Sequence, residues 1–151
     1  MADSVQWVTI RGADSANPVL LILHGGPGDI LSPYVAEFAP YEKDFTVVQW
    51  DQRGAGRTYG RYGENTPDMS LSRVAADGVE LAQYLRRRLA KKKVLALGHS
   101  WGTLIAIEMV KLEPDLFEAY IGAGQRSGAD RTRPSTTISK IWRRRQGTKR
   151  Y

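Results

Sequence analysis

Gly98-His99-Ser100-Trp101-Gly102 stands between a largely apolar run, Lys93-Val94-Leu95-Ala96-Leu97, and an amphipathic run, Thr103 to Leu112. The first run reads as a short buried strand and the second as a helix. A G-x-S-x-G pentapeptide in strand–turn–helix context predicts a nucleophile elbow, in which the serine sits on a turn too tight for ordinary backbone angles. Bulky side chains two residues either side of Ser100 would collide, and Gly98 and Gly102 meet that need. The hydroxyl is then lifted to the top of the sheet above a helix N-terminus. The amide of Trp101 points to where an oxyanion would form.

Two further segments extend the pattern. Val19-Leu20-Leu21-Ile22-Leu23 reads as a buried strand running into His24-Gly25-Gly26-Pro27-Gly28, a glycine-rich loop able to bring a backbone N–H to a bound carbonyl. Phe45 to Trp50 reads as another strand, leading into Asp51-Gln52-Arg53-Gly54-Ala55-Gly56-Arg57. HGGPG at 24–28, DQRGAGR at 51–57 and GHSWGT at 98–103, in that order, resemble the proline iminopeptidase group of α/β-hydrolases. The resemblance runs from about Val19 to Gln125. It implies a serine hydrolase of aminopeptidase type, with acyl transfer to Ser100 followed by hydrolysis, and Gly26 as the second oxyanion donor beside Trp101. Esterases and acyl transferases share the scaffold and stay open as alternatives, as does a non-catalytic α/β module binding a partner or a small acyl ligand.

The rest of the chain reads as alternating strands and helices. Val5 to Ile10 is expected as an antiparallel lead-in strand, Ser32 to Ala39 as a short helix and Gly60 to Ser70 as a loop. Ser72 to Leu89 is expected as a helix with Val74, Leu81, Leu85 and Leu89 on one face, and Phe117 to Gly122 as a last strand. Alternation of this kind gives an α/β fold with a mostly parallel sheet, helices on both faces and right-handed crossovers. By resemblance the sheet is of α/β-hydrolase type and incomplete, without later strands or a cap. Residues 1–125 are thus expected as the N-terminal part of such a core. Residues 126–151 carry nine Lys/Arg against one Asp and little apolar periodicity. They are expected to be a disordered or non-native tail, the competing reading being a basic helical tail, with Ile138, Ile141 and Trp142 forming its small apolar face.

Composition narrows the function further. Hydrophobic content of 42% and charged content of 25% belong to ordinary globular chains. The net charge of +6 resides in the tail, since residues 1–125 hold thirteen Lys/Arg and fifteen Asp/Glu, so no nucleic-acid partner is expected. The cluster Arg86-Arg87-Arg88 and Lys91-Lys92-Lys93 closes a helix and reads as its solvated, dipole-complementing end. No cysteine is present, apolar runs fall far short of the roughly 20 residues a membrane span needs, and the first residues lack a signal-peptide pattern. A cytoplasmic protein with no membrane partner is expected. No cofactor is implied, and dispersed histidines give no metal site.

A general base is the missing part. The two histidines, His24 and His99, both precede Ser100, whereas this fold orders its triad as serine, acid, histidine. His99 adjoins the nucleophile and points elsewhere, and His24 is expected to shape the oxyanion loop together with Gly25, Pro27 and Gly28. Asp51 and Arg53 are expected to fix the neighbouring loop. Of the acids beyond Ser100, Asp115 reads as a solvated helix-end residue and Asp130 falls in the tail. The chain is therefore expected to be poorly active alone on a small peptide or aminoacyl substrate, and to self-associate through an exposed sheet edge.

Overall fold

A computed structural model describes residues 4–124. The element series begins with β1 (Trp7–Arg11), β2 (Val19–Leu23), α1 (Val35–Phe38), β3 (Thr46–Asp51) and α2 (Gly56–Tyr62). It continues with α3 (Leu71–Arg88), β4 (Val94–His99), α4 (Trp101–Leu112) and β5 (Phe117–Ala123). The five strands form one sheet in the order β1-β3-β2-β4-β5, with β1 antiparallel to β3 and the other pairs parallel. Residues 126–151, where the tail is expected, lie outside the described residues.

Strand β2 is apolar without alternation because both its faces are covered. Val19, Leu21 and Leu23 join the main core with Val48, Trp50, Ala96 and Phe117. Leu20 and Ile22 join Val47 in a smaller cluster under Leu31, Phe38 and Phe45. A five-residue run buried throughout is the signature of a central parallel strand. It also places the loop after β2 beside the loop after β4, because those two strands are neighbours.

Helices α3 and α4 cover the main-core face. Val74, Leu81, Ala82 and Leu85 of α3 meet Ile105, Ala106 and Met109 of α4 in one cluster. The two helices approach closely at Gly78, where an added Cβ would strike the Met109 side chain. Helix α3 starts at Ser70, whose Oγ accepts the Arg73 amide at 3.2 Å. Its end is closed by the Lys91 amide donating to the Arg86 carbonyl at 2.9 Å, with Ala90 at φ 52°, a left-handed position that glycine fills more readily.

Two elements depart from the expected series. Strand β1 begins at Trp7 rather than Val5, because the Val5 amide donates to the Tyr62 hydroxyl instead of entering the ladder. The stretch expected as a loop from Gly60 belongs partly to α2, which opens inside DQRGAGR itself. Asp51 drives this start: its Oδ2 accepts the Arg57 amide at 3.0 Å in the first turn, and Thr58 Oγ1 donates to the Asp51 carbonyl at 2.6 Å. A carboxylate so placed satisfies an otherwise orphaned helix donor and faces the positive end of the dipole.

Candidate active site

Ser100 caps the start of α4 at φ 49° and ψ −113°. This is left-handed φ for a residue with a side chain, and it is held there by its neighbours. The Ser100 amide donates to the Ala123 carbonyl of β5 at 2.9 Å. The Ser100 carbonyl accepts both the Thr103 amide at 3.0 Å and Thr103 Oγ1 at 2.6 Å. Thr103 in turn is hydrogen-bonded to the Tyr120 hydroxyl, whose pKa is raised by burial, with that hydrogen bond opposing the rise. The elbow is thus braced from β5 and from the first turn of its own helix. Strain of this kind costs about 1–3 kcal/mol and persists only where surroundings over-determine it.

The glycines flanking Ser100 are fixed by space. A Cβ on Gly98 would sit 2.5 Å from the Gly102 carbonyl oxygen, and one on Gly102 would strike the carbonyl oxygen of Leu23. A Cβ on Gly25 would fall 3.3 Å from Ser100 Cβ and 2.8 Å from His99 Nδ1. The HGGPG loop therefore presses directly against the elbow, with the His99 ring alongside. The loop turns sharply: the Asp29 amide donates to the Gly26 carbonyl at 3.2 Å, with Pro27 and Gly28 between them and Gly28 at φ 101°. Proline followed by positive-φ glycine is the type II turn chemistry. Gly26 itself lies at φ 32°.

His24 is 1% exposed, and both its ring nitrogens are occupied. Nε2 accepts the Gln52 amide at 3.3 Å, which leaves Nδ1 as the protonated nitrogen donating to the Gly25 carbonyl at 3.0 Å. The Gln52 side-chain amide donates to the His24 carbonyl at 3.3 Å. The two motif loops are therefore stitched together through His24 and Gln52. Burial lowers the His24 pKa, opposed by the Gly25 carbonyl and by the charges of Asp51 and Asp29. A ring so committed has no lone pair to offer Ser100. His99 is exposed and one residue from Ser100.

Arg53 anchors the second loop to α3 rather than to the HGGPG loop. Its guanidinium, fully buried, makes a two-pronged pair with Asp77 of α3, Nε to Oδ2 at 2.7 Å and NH2 to Oδ1 at 3.1 Å, and donates to the Pro67 carbonyl at 2.8 Å. Asp77 also accepts from Arg73 at 2.6 Å and from Gln6 Nε2 at 2.5 Å, and Gln6 accepts the Trp50 indole N–H at 2.7 Å. Sequence reading missed Asp77, Gln52, Thr103 and Tyr120. One signal was available for Asp77, a carboxylate on the buried face of α3 between Val74 and Leu81. No group of His, Cys, Asp and Glu able to hold a metal occurs among the described residues. No helix there is long and apolar enough to cross a membrane.

A five-stranded, mostly parallel sheet with a strained serine after β4 and a glycine loop after β2 defines a class, and the family model for the alpha/beta hydrolase fold matches residues 18–145. The chain belongs to that family. Among particular relatives, the "Probable aminopeptidase YbaC" of Bacillus subtilis is 36% identical over 129 residues, spanning 83% of this chain and 39% of that protein. The "Probable proline iminopeptidase" of Streptomyces coelicolor is 30% identical over 126 residues, spanning 83% and 38%. A solved "Marine microorganism esterase" superposes with a TM-score of 0.63 at 24% identity, over 80% of this chain and 41% of that one, and so shares the fold. The chain thus spans about two-fifths of the length of the curated relatives it matches.

Proposed function

We propose that this chain carries the nucleophile and oxyanion half of a serine hydrolase of aminopeptidase type, close to the proline iminopeptidases. Ser100 attacks the carbonyl carbon of a small peptide or aminoacyl substrate, and water later releases the acyl group. Amides of Trp101 and Gly26 receive the oxyanion. The observation that carries the reading is the close approach of Gly25 to a positive-φ Ser100, with room for no side chain at Gly25. The peptidase class is supported by the relatives from Bacillus subtilis and Streptomyces coelicolor.

No general base or acid for Ser100 is assigned among the described residues. A serine hydroxyl needs a base within hydrogen-bond reach, and His24 is spent on Gln52 and Gly25. What remains is an elbow and an oxyanion hole, a combination that gives weak catalysis without a triad.

Fluorophosphonate labelling combined with a proline anilide assay tests the reading. A slow adduct mapped to Ser100, absent in Ser100→Ala, with near-background anilide turnover is expected. An unlabelled Ser100 contradicts the nucleophile, and brisk turnover by the purified chain contradicts the missing base. The same scaffold admits a second reading, an ester rather than amide substrate, and a panel of simple esters against aminoacyl amides separates the two.

A further inference from the structure

Charge is sharply segregated in the folded body. Residues 4–124 hold thirteen Lys/Arg and fourteen Asp/Glu, yet six of those cations fall within Arg86–Lys93, a stretch with no acid. Arg86, Arg87 and Arg88 sit on the last turn of α3, where they complement its dipole. Lys91, Lys92 and Lys93 lie beyond the helix, after the chain reverses at Ala90. They line an open cavity of about 380 Å³ with Ala16, Pro18 and Glu118. Lys91 Nζ is fixed on the Ala16 carbonyl at 2.8 Å, whereas Lys92 and Lys93 have no acidic partner among the described residues. The helix-end carbonyls of Arg86 and Arg87 that would repel an anion are occupied by the amides of Lys91 and Ala90.

We propose that this basin binds a phosphate-bearing anion, with Lys92 and Lys93 as its main contacts and Glu118 as a weakening charge. It lies at the opposite end of β4 from Ser100, about 20 Å away at the rise of an extended strand, so it is separate from the hydrolase site. Lysine suits this ligand: its ammonium is a mobile point charge with three donors, and two such side chains line this cavity. Glu118 is the one carboxylate in the lining and repels that ligand.

The experiment is titration of the full chain with inorganic phosphate at constant ionic strength, read by residue-resolved amide NMR shifts. Saturable shifts at Ala16, Lys92, Lys93 and Leu95 are expected. The Lys92→Ala/Lys93→Ala variant raises Kd about tenfold, and Glu118→Gln lowers it about two- to threefold, the ordinary range for partly screened charges. Sedimentation with phosphatidylcholine vesicles containing phosphatidic acid is the second arm. Saturation by free phosphate assigns a soluble ligand. Vesicle binding lost in the double variant, without phosphate saturation, assigns a lipid headgroup, and either supports the site. Shifts confined to residues 126–151, or a Kd indifferent to both variants, overturn it. None of these readouts involves Ser100, so the result is independent of the hydrolase reading.

Discussion

Ser100 holds its backbone at φ 49° with a side chain attached, a strained conformation. Replacing Ser100 with glycine removes the Cβ conflict. Ser100→Gly should raise stability by about 1 kcal/mol in urea unfolding while abolishing fluorophosphonate labelling. A destabilised variant would mean the angle is not strained. His24 gives a pH prediction. Burial depresses its pKa, so the unfolded chain binds a proton that the folded chain refuses, and stability is fully present above the ordinary histidine range. It declines as pH falls from about 6.5 through the lowered value, since protonation sets Nε2–H against the Gln52 amide. Unfolding curves for wild type and His24→Asn, compared between pH 7.5 and 4.5, should converge as pH falls. A constant gap would contradict this.

At the scale of elements, DQRGAGR is held to α3 by a buried Arg53–Asp77 pair. Breaking one side leaves an uncompensated buried charge, so Asp77→Leu should cost about 3–5 kcal/mol, whereas Arg53→Met with Asp77→Leu should recover most of that loss. Equal loss in the single and double variants, measured by chemical denaturation, would show that the pair is not the anchor. These elements also show what the sequence displayed. Strand β2, strand β4, helix α3 and the elbow were legible because apolar runs, a helical apolar period and flanking glycines are local signals. Helix α2 was not, since its glycines Gly56 and Gly60 argue against a helix and the Asp51 cap that starts it lies outside the helix. The Arg53–Asp77 contact spans 24 residues of sequence, and no local pattern names a partner at that distance. The expectation for Arg53 named the loop beside HGGPG and no partner in α3, where the structure places Asp77.

On the scale of the whole molecule, the five strands leave β5 paired only with β4 and β1 only with β3 among the described residues. Leu95 and Leu97 lie half-buried on the face opposite α3 and α4. Unpaired strand edges beside apolar surface favour association. Sedimentation velocity on the purified chain should show mass increasing with concentration, and a monodisperse monomer across the same range would contradict that proposal. The sheet order also explains how three separated motifs converge: β2 lies between β3 and β4, so all three following loops emerge at one end. The most direct measurement is a crystal structure of the chain phosphonylated at Ser100. A phosphoryl oxygen within about 2.7–3.1 Å of the amide nitrogens of both Gly26 and Trp101 is the predicted result. An oxygen turned toward solvent, or an adduct on another residue, would contradict the account.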